Sequence, residues 1–214
     1  MDNFQYANIP KTWYDSHVNI SNIKEKYDMV GCICDSPNLE YLKNFKYKMG
    51  EDCKVYCEIG VLYGGSMILM MDMEFPCLHI GIDPFTGYYG KSFDPHRNID
   101  LTNHFDIASE NINKNNSFFQ KWKLIKGNSE DVHEKITEEI DLLFIDGNHT
   151  KKGVQLDFLD YKNKIRQGGF IIFDNYDDRN WREVRPAVDE IIECFPEEFK
   201  LYDAAHHLCV IQKL

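Results

Sequence analysis

Long apolar runs are missing from this chain. Its longest apolar stretches fall far short of the roughly 20 residues that a membrane-spanning helix needs, so no membrane partner is expected. Basic residues are in the minority. Lys and Arg number 24 against 35 Asp and Glu, a net charge of -11 over 214 residues. Such a surface repels phosphate backbones, and nucleic acid is not an expected partner. No basic segment followed by an apolar core stands after Met1, so a secretory signal is not expected either. Metal-binding cysteine spacing is also missing. The seven cysteines are Cys32, Cys34, Cys53, Cys57, Cys77, Cys194 and Cys209. Their odd number and irregular spacing fit a reducing compartment, with the cytoplasm as the expected location. The pairs Cys32/Cys34 and Cys53/Cys57 have no second C-x-x-C or nearby histidine pair, so structural zinc is set aside.

What is present becomes regular after Gly50. Residues 1–50 are irregular, punctuated by Pro10, Pro37 and Gly50, with one helix candidate at 38–47. They read as an N-terminal cap, with 51–214 as the main domain. Strand candidates follow at 54–60, 78–83, 121–127, 140–146 and 168–174. Helical segments at 65–73, near 101–115, at 129–136, 151–165 and 183–195 alternate with them. Pro186 lies close enough to the start of the last helix to be tolerated. The final stretch, FKLYDAAHHLCVIQKL, supplies two short strands for an antiparallel hairpin. The polar run at 111–119 reads as surface, and no repeat or long linker is visible. Short apolar strands alternating with helices predict an α/β fold, a mostly parallel sheet covered on both faces. Ligands of such a sheet lie beyond the C-terminal ends of its strands, near the point where strand order reverses.

The strand ends therefore carry the functional signal. The first reads CEIGVLYGGS, placing Glu58, Gly60, Gly64 and Ser66 in an E-x-G-x-x-x-G-x-S pattern. Glycines let the turn run tight and let a ligand touch backbone, although the turn could also merely pack. The sequence GVLYGG lacks the middle glycine of the dinucleotide pattern G-x-G-x-x-G. It also lacks the G-K-[ST] of a P-loop. The second strand ends in Asp83, which could accept hydrogen bonds from a ribose diol or cap its own loop. The third ends in Gly127, followed by Asn128, Ser129, Glu130 and Asp131. Ser129 reads as a helix N-cap that could also read the edge of a base. The fourth and fifth ends are IDGNH and IIFDN, which place Asp146, Asp174 and Asn175 on one rim. Two carboxylates and an amide oxygen suit Mg²⁺ or a similar cation, or else form a hydrogen-bond network of their own. His149 stands beside them as a general base, a loop anchor or a metal ligand. Phe85, Tyr88 and Tyr89 of the 84–95 loop, with the segment Tyr176–Trp181, are candidates for the wall of an acceptor site or for surface anchors.

Taken in order, CEIGVLYGGS, GIDPF, KGNSEDV and LLFIDGNHT…GGFIIFDN resemble the class I S-adenosylmethionine-dependent methyltransferases. The match runs over about 54–175. Within that superfamily the chain is similar to metal-dependent O-methyltransferases of the catechol type and of the macrocin or deoxysugar type. The spacing of Trp181, Val184, Ala187 and Val188 resembles the sugar-type enzymes. The resemblance implies a Rossmann-like sandwich with a seven-stranded, mostly parallel sheet. It implies that Glu58, Gly60 and Ser66, on a turn that includes Val61, Tyr63 and Gly64, hold the methionine end of the cofactor. It puts Asp83 and Pro84 at the ribose, Asn128 and Ser129 at the adenine, and Asp146 beside the cofactor as well as the metal. Asp146, Asp174 and Asn175 match the metal triad of the catechol type. His149 falls where that type carries a lysine. In many sugar-type members the last metal position is a second aspartate, so Asn175 is catechol-like while the loop and length are sugar-like.

The chemistry expected from this resemblance is methyl transfer from S-adenosylmethionine to a hydroxyl of a small molecule, with a sugar or a sugar-containing compound as the expected acceptor. The cation would lower the pKa of that hydroxyl and His149 would take its proton. Two other readings stay open: a hydroxylase-like enzyme on the same fold, and a non-catalytic S-adenosylmethionine-binding domain. The resemblance also makes a homodimer an expectation.

Overall fold

The structure is a computed structural model that describes residues 26–31, 37–88, 90–96 and 98–214. The Cys32/Cys34 pair, Tyr89 and most of the N-terminal cap lie outside the described residues. The first helix, α1 (Pro37–Met49), precedes β1 (Val55–Ile59), α2 (Gly65–Met71) and β2 (Leu78–Asp83). Next come β3 (Phe93–Asp94), β4 (Ile99–Asp100), α3 (His104–Asn115), β5 (Lys121–Lys126), α4 (Ser129–Val132) and β6 (Ile140–Ile145). The chain finishes with α5 (Lys151–Tyr161), β7 (Ile165–Phe173), α6 (Val184–Cys194), β8 (Phe199–Ala205) and β9 (Leu208–Lys213). Among the described residues, no helix is long and apolar enough to cross a membrane.

Seven strands form one sheet in the order β5-β2-β1-β6-β7-β9-β8. The first five are parallel to one another, whereas β9 runs antiparallel to both β7 and β8. The sandwich and its C-terminal hairpin are thus both as the sequence suggests. Alternation along the strands divides the core. Tyr56, Leu142 and Phe144 face α1, α2 and α3, packing with Leu42, Phe45, Met67 and Ile112. Cys57, Ile59, Leu143 and Ile145 face the other way, against Val154 and Phe158 of α5 and Val188 and Ile191 of α6. Successive side chains of a strand point to opposite faces, so both faces must be apolar when both are covered.

Some boundaries differ from the sequence reading. The 84–100 loop contains the small antiparallel pair β3 and β4. Two-residue strands are too short to show any alternation. The helix expected over 151–165 ends at Tyr161 and closes in a 3-10 turn at Lys162–Lys164. Ile165 instead opens β7, three residues earlier than expected, where it is buried and pairs with Ile140. An irregularity in register follows, and Gly168 there has a φ of 76°. The glycine pair hides the start of the strand, because glycine carries no strand signal.

Strand order reverses between β1 and β6. The chain runs outward from β1 through β2 to β5, then returns to the other side of β1. A crevice opens at that reversal, beyond the C-terminal ends of the parallel strands.

Candidate functional site

The crevice is a cleft of about 570 Å³, within the range of small-molecule sites. Its floor is built from strand tips held in line by backbone bonds. Gly60 N–H donates to Ile82 C=O at 2.9 Å, Asp146 N–H to Ile59 C=O at 2.9 Å, and Gly127 N–H to Asp83 C=O at 3.0 Å. Gly60 has a φ of 94°, and a Cβ there would lie 2.0 Å from the carbonyl oxygen of Asp146. Glycine is thus required where β1 and β6 close on each other, before any ligand is considered.

Of the residues implied for cofactor binding, Gly60, Asp83, Pro84, Asn128, Ser129 and Asp146 line the cleft. Asp83 is nearly buried. Its Oδ2 accepts from the backbone N–H groups of Val61 and Leu62, both at 3.0 Å, and its Oδ1 from Phe85 N–H at 2.6 Å. It therefore clamps the turn after β1 to its own loop. Val61 is buried, and Tyr63 turns away from the cleft to donate its hydroxyl to Asp94 at 2.7 Å. Gly64 has a φ of 85° and precedes α2.

Glu58 and Ser66 are brought together, beneath the turn rather than in the cleft wall. Ser66 donates to Glu58 Oε1 at 2.6 Å and Tyr56 to Oε2 at 2.7 Å, with Glu58 fully buried. Burial pushes this carboxyl up to about 8, although the two hydroxyls pull the other way. The ordinary value is 4.5, so between these limits the folded chain holds a proton that the unfolded chain releases. Stability from this group is complete below the lower limit and is lost as pH rises through the upper one, at up to about 1.4 kcal/mol per pH unit. Thermal melts between about pH 5 and about pH 8 should show this decline. The decline should flatten in Glu58→Gln, and an identical pH trend in the variant would refute the assignment.

One expectation for the third strand end, the capping role of Ser129, changes. Asn128 takes the N-cap position of α4, with no side-chain cap bond, and donates instead to Asp131 at 2.9 Å. Ser129 is the first residue inside the helix, and its hydroxyl donates to Asp157 Oδ1. A long-range acceptor has displaced the local capping role. Asp157 itself escapes a search of strand ends, since it sits within α5. Its signal was an acid on the buried helical face with Val154, Phe158 and Tyr161. The side-chain cap found at α5 is Thr150, whose hydroxyl accepts from Gly153 N–H at 3.1 Å.

The fourth and fifth strand ends meet as expected. Ile145 and Phe173 are register partners, and Asp174 N–H donates to Ile145 C=O at 3.0 Å. Asp146 and Asp174 thereby lie side by side, within reach of a shared hydrogen bond. Burial and then the neighbouring Asp146 push Asp174 up to about 7. Asp146 is raised too, by burial, against the opposing pull of His149. Asn175, with a φ of 59°, turns the chain there and reaches His149. Asn38 of α1 was not anticipated: its amide donates to Asp174 Oδ1 at 2.8 Å. Among the described residues no three His, Cys, Asp or Glu side chains are grouped to hold a metal ion. Asp146, Asp174 and the amide oxygen of Asn175 still offer a hard-oxygen set of the kind Mg²⁺ takes. The mutual repulsion of the two carboxyls is what a cation would relieve.

His149 lines the cleft with its ring held on two sides. Its Nε2 is 3.3 Å from Asp146 Oδ1, and its face stacks on Trp181 at 4.3 Å with 19° between planes. Burial disfavours the charged ring, but Asp146 and Asn175 outweigh it and the pKa is raised. Among the aromatic candidates for an acceptor wall, Tyr88 lines the cleft. Phe85 does not. It is buried against Val61 and Ala108 with Phe105 edge-on at 5.0 Å, which makes it an anchor of the loop. Tyr176 is likewise tied down, donating to Asp189 at 2.6 Å.

A family model described as a methyltransferase domain matches residues 57–176. The uncharacterized protein R132 of Acanthamoeba polyphaga mimivirus is 32% identical over 152 residues, which are 71% of this chain and 65% of that protein. The chain thus matches less than two thirds of the length of this relative. Among solved structures, the O-methyltransferase from Bacillus cereus in complex with SAH is 18% identical with a TM-score of 0.60, covering 86% of this chain and 84% of that one. The O-methyltransferase NovP is 19% identical with a TM-score of 0.64, covering 82% of this chain and 79% of that one. At such identities these two likenesses concern the fold.

Proposed function

The chain belongs to the methyltransferase-domain family, and on that premise we propose that it transfers the methyl group of S-adenosylmethionine to a hydroxyl of a small molecule, a sugar or sugar-containing compound. The observation that carries this reading is His149, held at Asp146 on the rim of a cleft at the sheet's reversal point. When bound, S-adenosylmethionine supplies a methyl group already activated as a sulfonium. A divalent cation, Mg²⁺ or similar, would be held by Asp146, Asp174 and Asn175 and would lower the pKa of a ligated hydroxyl. The chain's own residues do the rest. The turn from Gly60, clamped by Asp83, offers backbone to the cleft. Asn128 and Ser129 form another part of its wall. His149, in its neutral form, takes the proton of the acceptor hydroxyl. Tyr88 offers a ring face for stacking on the acceptor.

The acidic surface makes nucleic acid an unsuitable acceptor, and the free cysteines Cys53, Cys57, Cys77, Cys194 and Cys209 suit the cytoplasm. A homodimer is part of the same reading, on family likeness alone.

Calorimetry with S-adenosylmethionine tests the first step. Micromolar binding is expected. Asp83→Ala should weaken it by roughly 1–3 kcal/mol, the scale of lost charged hydrogen bonds, and should also lower the melting temperature because three amides lose their acceptor. Absence of both heat and thermal shift with the wild-type protein would overturn the proposal, and tight binding of NAD would redirect it. Binding without transfer to any sugar or catechol, with Mg²⁺ present, would favour the non-catalytic reading.

A further inference from the structure

Asn38 stands away from the strand tips, yet it joins three distant segments of the chain. It is the second residue of α1 and is 8% exposed. Its Nδ2 donates to Asp174 Oδ1 at 2.8 Å. Its own Oδ1 accepts from the backbone N–H of His207, in the turn between β8 and β9, at 3.3 Å. That turn is tied to the rim as well, because Tyr176 N–H donates to His207 C=O at 2.8 Å. The two contacts settle which way the amide points. A backbone N–H can only donate, so the amide oxygen faces His207 and the amide nitrogen faces the carboxylate. Turned over, the amide would set oxygen against oxygen at Asp174 and N–H against N–H at His207.

Docking of α1 does not depend on this bond. The Tyr41 hydroxyl donates to Asp203 of β8 at 2.5 Å, and Phe45 packs edge-on against Phe170 and Tyr202 at 5.0 and 5.9 Å. Leu42 and Phe45 are buried in the core on that face of the sheet. What Asn38 adds to those anchors is a fixed donor at one carboxylate. An amide does this without bringing charge. A lysine or arginine in its place would neutralise Asp174 and compete with a cation, whereas an apolar residue would leave the carboxylate one donor short.

This inference rests on the reading of Asp146, Asp174 and Asn175 as a cation site. Groups that hydrogen-bond a ligating carboxylate govern metal affinity without touching the metal. We propose that Asn38 is a positioning residue of that site: it holds Asp174 in the orientation that binds a divalent cation, so that α1 and the β8–β9 turn set the affinity.

Calorimetric titration of Mn²⁺ into the full chain tests the assignment, with a thermal melt of each variant to establish that it is folded. Asp174→Ala removes a ligand and so identifies the part of Mn²⁺ binding that belongs to this site. Asn38→Leu, which keeps most of the volume and loses both polar ends, should bind Mn²⁺ there roughly 10–100-fold more weakly than the wild type, and so should Asn38→Ala. Tyr41→Phe removes a tie of α1 that does not reach Asp174. It should lower the melting temperature and keep Mn²⁺ affinity within about threefold of the wild type. Wild-type Mn²⁺ affinity in either folded Asn38 variant would overturn the assignment. A loss in Tyr41→Phe as large as in the Asn38 variants would overturn it too, because docking of α1 rather than the amide would then control the site. Wild-type protein that binds no Mn²⁺, or binds it equally well without Asp174, would overturn the cation reading itself, and this assignment with it.

Discussion

Replacing His149 by alanine should lower kcat by roughly 10²–10⁴-fold, the usual scale for a positioned acid–base group, and leave cofactor affinity nearly unchanged. The expectation follows from how the ring is held. Trp181 stacks on one face and Asp146 meets Nε2 at 3.3 Å. Together these contacts fix the plane of the imidazole at the rim of the cleft. The methionine and ribose ends of the proposed cofactor site are built from other elements, the Gly60 turn and Asp83. Cofactor binding should therefore survive the loss of the imidazole. A histidine that merely anchors its loop predicts the opposite division, with modest loss of turnover and a lower melting temperature. Added imidazole separates the two views further. It should restore part of the lost turnover if the ring moves a proton and none if the ring only packs. Trp181→Leu should give a smaller loss of kcat than His149→Ala, because it releases the ring without removing it. Near-wild-type turnover in His149→Ala would end the base assignment.

The parts of this site legible in the sequence were those set by backbone geometry at strand ends. A glycine or an acid closing an apolar run marks where a parallel strand stops, and strand tips converge whatever the loops do. Gly60, Asp83, Gly127, Asp146 and Asp174 were found that way. The roles of Asp83 and Ser129 were less legible, since each had a local and a ligand-facing reading. Asp83 spends both oxygens on amides of two loops, and Ser129 bonds a helix 28 residues away. Neither partner is implied by spacing. Asn38 was invisible for the same reason: it reaches Asp174 from 136 residues earlier in the chain. Phe85 looked like a candidate for the acceptor wall because an aromatic in a loop after a strand has two plausible fates. Its φ of 48° and its burial against Val61 show which one packing chose.

Removal of divalent cations should reduce turnover on a true acceptor by about 10³-fold or more, and Mg²⁺ should restore it. The scale is that of a Lewis acid contributing several kcal/mol at about 1.4 kcal/mol per tenfold in rate. The structural reason begins with register. Pairing of Ile145 with Phe173 places the next residues, Asp146 and Asp174, at neighbouring tips. Two carboxyls so placed resist joint ionisation, and Asp174 is held up at about 7 by burial and by Asp146. Asn38 donates one hydrogen bond to Asp174 and His149 sits at Asp146, yet neither brings a fixed full charge. A divalent cation would bring two, and Asn175 adds an uncharged oxygen of the kind that completes such a set. The alternative is a self-sufficient network of Asn38, Asp174, Asp146 and His149, which would be indifferent to chelator. The two views part on double perturbation. If the cation acts through these residues, Asp174→Ala should lose about as much turnover as chelation does, and chelating the variant should cost little more, because both remove the same interaction. A network without a cation predicts a slow variant and a wild-type enzyme that keeps its full rate in EDTA with metal content measured as negligible, and that second result would rule the cation out.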